Sequence, residues 1–402
     1  MNNLSSIEKA LLATISVSAI FVCLKLTIGG ESSLLVNYLK LMARAMLFSF
    51  VLLQFLSWLR SRDYNVSETV FLWGVFNCLA VVSLVYSVDK FNSVMALLEY
   101  FSSAYAGYFI GKKFHYRCNI LLVSVIYQCA LVILLLASFW LVSPADVFQS
   151  MASGNSEERL LGLGGTIIHV HSLAMLFLVC LVSVAFSDLN WSYKIALVSI
   201  SLAVVFATLS RTGVVLALVI LSIWLAVHKS SWIRTVFSSY LLLAVIMWIL
   251  IVYSNDVFTL FARGASMEDL LSGSNRLYIY QAAFSEISNS PFLGFGFDNL
   301  SPNGDFLLVD SSYERSSLHN QFLYILISGG IIGLISFTLF FLSFFVKAVV
   351  SPQSSHQNMA FFIVLFVFSM TQDTLANDST PLQYFTFLLL GTLESRRQSI
   401  DA

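Results

Sequence analysis

Charge is what this sequence has least of: of 402 residues, only 11% are Asp, Glu, Lys or Arg, against roughly a quarter in soluble domains. With 58% of the chain apolar and 35 phenylalanines, its main solvent is lipid rather than water. The five cysteines, Cys23, Cys78, Cys118, Cys129 and Cys180, fall inside apolar runs without short paired spacing. That argues against a disulfide framework or a thiolate metal site. No Cys/His cluster, Asp-x-Asp pair, Walker loop or strand-linked Gly-x-Gly-x-x-Gly occurs, so no metal, nucleotide or other cofactor is indicated. The net charge is -1, and no nucleic-acid partner is expected. The first apolar run, Ala10 to Ile28, lacks a small-x-small cleavage site and reads as an anchor. Repeats and low-complexity stretches are absent.

What is present is a long series of apolar runs. A membrane-crossing helix needs roughly 20 largely apolar residues, because backbone groups cannot be left unsatisfied in hydrocarbon. The runs predict spans at 10–28, 36–59, 70–87, 94–111, 118–142, 167–186, 194–210, 213–228, 235–254, 320–346, 359–372 and 381–393. The expected fold is all-α: a single polytopic membrane domain over residues 1–402, with about twelve transmembrane helices. Twelve spans put both termini on one side, and that side collects 12 of the 21 basic residues on very short connections, from Lys9 to Arg397. By the positive-inside rule it is cytoplasmic. The nine exceptions, Lys25, Lys40, Arg44, Lys90, Arg159, Arg211, Arg263, Arg276 and Arg315, are where function should be sought.

One outward connection is long. Residues 255–318 cannot be a simple turn, since loops beyond about 12–15 residues usually carry function. Within them, Leu277, Tyr280, Phe284 and Ile287 stand at helical spacing after Ser272-Gly273-Ser274. This predicts an amphipathic helix over 275–289 at the membrane face. Pro291-Phe292-Leu293-Gly294-Phe295-Gly296 ends it, and its two glycines allow close backbone approach to another element.

Arg211, in Ser210-Arg211-Thr212-Gly213, lies between two spans with almost no loop, where a guanidinium is costly unless it meets an anion; the plainer alternative is snorkelling to headgroups. Arg276 opens the amphipathic helix, where a cation opposes the macrodipole. A phosphate held by helix and guanidinium together would reverse that, although an ordinary surface arginine also fits. Arg263 and Arg315 are weaker substrate-binding candidates. His319-Asn320 stands where the long loop re-enters the membrane, ahead of Gly329, Gly330 and Gly333, whose small size suggests close helix packing. Many such histidines are only interfacial hydrogen-bonders, yet an imidazole can take a proton near neutral pH. His169 and His171 begin the sixth span. Two positions apart, they point in different directions on a helix and suit substrate contact better than a metal. Glu99, within the fourth span, is read as a partner of Lys40 or Arg44 or as a transport residue.

Taken together, Ser-Arg-Thr-Gly between two spans, the long loop with Ser274-Asn275-Arg276 and Pro-Phe-Leu-Gly-Phe-Gly, and His-Asn entering a Gly-rich span resemble one family. It is the bacterial O-antigen ligase and O-antigen polymerase superfamily of membrane glycosyltransferases. His319-Asn320, nine residues, Gly330, two residues and Gly333 fit the ligases' His-[Asn/Ser/Gln]-x9-Gly-x-x-Gly signature. Ligases commonly carry Ser-Arg-Gly, whereas Ser-Arg-Thr-Gly is also at home in polymerases. The arginine-x10-glycine pattern of some polymerases is absent at Arg211, Arg263 and Arg276.

The resemblance implies a paired-arginine, single-histidine site: Arg211 and Arg276 as catalytic cations and His319 as base, with Asn320, Arg263, Arg315, His171 and His169 around the substrate. It implies an undecaprenyl-diphosphate-linked glycan as donor, used at the periplasmic face of the inner membrane without metal. The acceptor would be a sugar of lipid A-core, or a growing lipid-linked glycan if the chain is a polymerase. Membrane lipids and a chain-length regulator are further expected partners. A ligase is favoured over a polymerase, and a lipid-linked sugar transporter without chemistry is the rival from another class.

Overall fold

The computed structural model describes residues 5–22, 27–28, 31–32, 34–61, 66–114, 119–142, 150–152, 158–160, 170–208, 210–227, 276–301, 307–310, 313–315, 318–350, 355–372, 375 and 380–400. Helices dominate. In chain order they are α1 (Ser6–Val22), α2 (Leu34–Ser61), α3 (Glu68–Val82, extended by a 3-10 turn at Ser83–Val85), α4 (Lys90–Phe114), α5 (Ile120–Val142) and α6 (Val170–Ala185). They continue as α7 (Trp191–Ala207), α8 (Arg211–Val227), α9 (Arg276–Ile287), α10 (Gln321–Val350), α11 (Ser355–Thr371) and α12 (Pro381–Ile400). Three short antiparallel ladders sit in the connections: β1 (Thr27–Ile28) with β2 (Glu31–Ser32), β3 (Ser150–Ala152) with β4 (Glu158–Leu160), and β5 (Leu307–Asp310) with β6 (Tyr313–Arg315).

Eleven of the predicted spans meet a helix, and the amphipathic helix over 275–289 is α9; the span at 235–254 lies outside the described residues. Tyr38–Arg60, Glu68–Val85, Ile120–Ser138 and Gln321–Val350 are long and apolar enough to cross a membrane by themselves, and four shorter apolar helices accompany them. The β5–β6 hairpin inside the long connection was not expected.

Local chemistry sets the helix starts. At α1 the Ser5 hydroxyl accepts from the Glu8 amide (3.3 Å) while the Glu8 carboxylate accepts from the Ser5 amide (3.0 Å), a capping box that satisfies donors at both positions. Ser67 caps α3 through the Val70 amide at 3.4 Å.

Packing then follows from side-chain size. Gly107-x-x-x-Gly111 on α4 faces Gly391 on α12, and a Cβ at Gly111 would lie 2.1 Å from the Leu388 carbonyl oxygen. Only glycine permits that approach, which is how membrane helices gain contact when lipid and core are equally apolar. Around this pair the phenylalanines form the core: Trp73 stacks on Phe387 at 4.6 Å, Phe387 on Phe340 at 6.0 Å, and the Trp73 indole donates to the Tyr100 hydroxyl at 2.9 Å.

Two ion pairs between described residues stand inside the bundle. Glu99 pairs with Arg44, one of the two cations named as its partners. Lys347 pairs with Glu394, and its ammonium also donates to the Ser67 hydroxyl at 3.2 Å. The start of α3, the end of α10 and the end of α12 therefore share one face of the bundle.

The tenth span departs from the straight helix expected at 320–346. At Gly330 the backbone turns to φ 63° and ψ -168°, a left-handed conformation that suits glycine. The chain folds back there. The Phe322 ring lies 5.7 Å from Phe337 and 5.6 Å from Phe341, residues that a straight helix would hold roughly 22 and 28 Å further along. Residues 321–329 thus form a short helix laid against the longer one at 331–350. A break of this kind strands carbonyls on one side and amides on the other. The Pro291–Gly296 segment supplies both partners. The amides of Phe295 and Gly296 donate to the carbonyls of Ile327 and Ser328 (3.0 and 2.9 Å), and the amides of Ile331 and Ile332 donate to those of Pro291 and Phe292 (2.9 and 3.3 Å).

Candidate active site

The broken helix presents His319. Residues 291–299, which fill the break, are themselves fixed to the α3–α4 turn. Asn299 is fully buried, and its amide group donates to the hydroxyls of Ser87 (2.7 Å) and Ser93 (2.9 Å) while its carbonyl oxygen accepts from the Asp89 amide (3.3 Å). From this base Asp298, at φ 62°, holds the buried Tyr324 hydroxyl at 2.5 Å. Tyr324 lies on the short helix, about one and a half turns beyond His319.

His319 has φ 52°; it and Asp298 are the two non-glycine residues with positive φ among the described residues. Such strain persists where the surroundings over-determine the backbone, often at functional sites. Leu318 before it is buried, and Asn320 after it caps the helix, its Oδ1 accepting from the amides of Phe322 (3.0 Å) and Leu323 (3.1 Å). One side chain that meets the ring is Gln372, whose Oε1 stands 3.2 Å from Nδ1. Asn320 therefore orients the helix, and the ring is engaged from the far end of the chain.

A second histidine is placed at a helix junction. His171, half-buried at the start of α6, lies with Nδ1 3.3 Å from the hydroxyl of Ser210. Ser210 is fully buried and caps α8 through the Gly213 amide at 3.3 Å. Arg211 is the first residue of that helix. Helices α6 and α8 pack on each other, and α11, which ends one residue before Gln372, packs on both. The two histidine contacts thus border one group of three helices.

Arg276 is the first residue of α9, as the sequence predicts, and α9 packs against α10. The Arg276 side chain is half-buried and enters no ion pair with a described residue. Arg315 closes β6, opposite Leu307. His169 and Arg263 lie outside the described residues.

Residues 195–338 match the profile of the O-antigen ligase family. No curated protein matches the chain at a significant level. Over this segment the chain is similar to the O-antigen ligase superfamily, whose members are ligases and polymerases of the glycosyltransferase type. The O-antigen ligase segment runs from α7 through the break in α10, so Arg211, Arg276, Asp298, His319, Asn320 and Tyr324 all fall inside it, whereas Gln372 lies beyond. The sequence reading missed Asp298, Tyr324 and Gln372. Asp298 adjoins the Gly-Phe-Gly-Phe run that was singled out, but Gln372 sits 53 positions from its partner, and no spacing rule connects them.

Proposed function

We propose that the protein transfers a glycan from an undecaprenyl-diphosphate carrier to an acceptor sugar at the periplasmic face of the inner membrane, with lipid A-core as the acceptor. The observation that carries this reading is the strained His319 just before α10, its ring met by Gln372 and its helix capped by Asn320, within the segment that matches the O-antigen ligase profile.

His319 accepts the proton of the acceptor hydroxyl as its oxygen attacks the anomeric carbon of the carrier-linked sugar. The bond from that carbon to the diphosphate oxygen breaks, and the diphosphate leaves with the bonding pair. Arg211 and Arg276 stabilise its growing charge. A single displacement inverts the anomeric centre, and two fixed cations take the place of a metal. The half-buried Arg276 at a helix N-terminus suits an anion, because amides and guanidinium then act on it together.

Purified protein in proteoliposomes, given a lipid-linked glycan and lipid A-core, is expected to form the conjugate with or without a chelator. Loss of transfer on chelation contradicts the metal-free scheme. The Ser-Arg-Thr-Gly sequence favours a second reading, a polymerase that extends the lipid-linked glycan through the same site. A deletion strain separates the two: polymer left on the carrier means lost ligation, and a single repeat on the core means lost polymerisation.

A further inference from the structure

The contact between His319 and Gln372 joins two parts of the chain that the glycosyl-transfer scheme does not connect. Gln372 directly follows α11, and its amide continues the helical ladder to the Phe368 carbonyl at 2.7 Å. The segment beyond it is pinned at Leu375. The Leu375 amide donates to Gln321 Oε1 at 2.6 Å, and the Leu375 carbonyl accepts from Gln383 Nε2 at 3.2 Å. Gln321 and Gln383 are fully buried, and Gln372 is 8% exposed. Gln321 is two residues from His319. Gln372 therefore meets the histidine ring, and Leu375 meets the Gln321 side chain two residues further on.

The atom that meets the ring decides its chemistry. With the amide oxygen on the ring side, this contact forms when Nδ1 carries the hydrogen, which leaves the lone pair on Nε2. Building on the base role given to His319, we propose that Gln372 is a positioning residue that holds the ring in the Nδ1–H tautomer and so presents Nε2 to the acceptor hydroxyl. A neutral amide does this without adding charge. A carboxylate in its place would also stabilise the imidazolium and hold the base protonated to higher pH. The charged and titratable groups described on neighbouring elements are Asp298, which meets Tyr324, His171, which meets Ser210, Glu286, which meets Asn289, and Arg276 at the start of α9, the helix packed against α10.

The test is the pH dependence of glycan transfer in proteoliposomes for wild type, Gln372→Glu, Gln372→Leu and His319→Ala, each first shown to elute as a monodisperse species. Gln372→Glu is expected to move the acidic limb of kcat/KM upward by about one pH unit while keeping activity at its new optimum. Gln372→Leu should lower kcat at least about ten-fold with the carrier KM unchanged, because the ring loses its preferred tautomer. An unmoved limb in Gln372→Glu together with full kcat in Gln372→Leu, while His319→Ala is inactive, overturns the positioning role and leaves the base in place. Full transfer by His319→Ala instead removes the base, and the positioning role with it.

Discussion

Gly330 stands against the carbonyl of Phe292 so closely that a Cβ would lie 2.2 Å from its oxygen. The glycine is needed twice, for the left-handed turn and for the approach, whereas a Cβ on its neighbour Gly329 would meet nothing within 4 Å. Gly330→Ala is expected to lower stability by at least about 2 kcal/mol and Gly329→Ala to leave it nearly unchanged. Thermal unfolding in detergent distinguishes them; equal midpoints for the two variants contradict the folded-back helix.

The α4–α12 pair gives a comparison of the same kind. Gly111→Leu would force apart backbones that sit closer than any side chain allows, so loss of folded protein is expected. Gly74→Ala on α3, where a Cβ meets nothing within 4 Å, should be tolerated. The yield of monodisperse protein measures both.

For the ion pair between Arg44 and Glu99, removing one partner leaves a charge inside the bundle, which destabilises more than the intact pair stabilises. Glu99→Gln should lower the unfolding midpoint, and the swap Arg44→Glu with Glu99→Arg should recover part of it. A midpoint unchanged in Glu99→Gln would reopen a transport role for that carboxylate.

Arg211→Lys keeps the charge and loses the bidentate fork. If the fork holds the diphosphate, one charge-assisted bond of about 1.5–3 kcal/mol is lost, which is on the order of 10- to 100-fold in turnover. Turnover near wild type means that a point charge is enough.

The helices were legible because hydrocarbon leaves no other way to satisfy the backbone, and an apolar run long enough to cross must be one. The helix at 276–287 was legible from the spacing of Leu277, Tyr280, Phe284 and Ile287, but the face it buries holds Ile279 and Ala283, while Phe284 stays exposed. The glycines of the Pro291–Gly296 segment were read as permitting a close approach, and the approach exists. What it approaches was not readable, since pairing Phe295 with Ile327 is a tertiary choice without periodicity. The break at Gly330 was hidden for a related reason: an apolar stretch of 30 residues looks the same whether straight or folded back. Gly333 shows the limit of reading small residues as packing sites, because a Cβ there would meet only ordinary contacts at 3.7 Å. In the site, His319 and the arginines stood out by residue type and sidedness. Gln372 did not, because a polar residue at the end of a span is ordinary until its partner is known.

The central claim is that His319 takes the acceptor proton. Its most direct test is the single-turnover rate of glycan transfer in proteoliposomes for wild type and His319→Ala, with carrier binding measured in parallel. A general base of this kind contributes about 10²–10⁴-fold, so the variant should bind the carrier normally and transfer at least about a hundred-fold more slowly. Transfer at the wild-type rate would contradict the account.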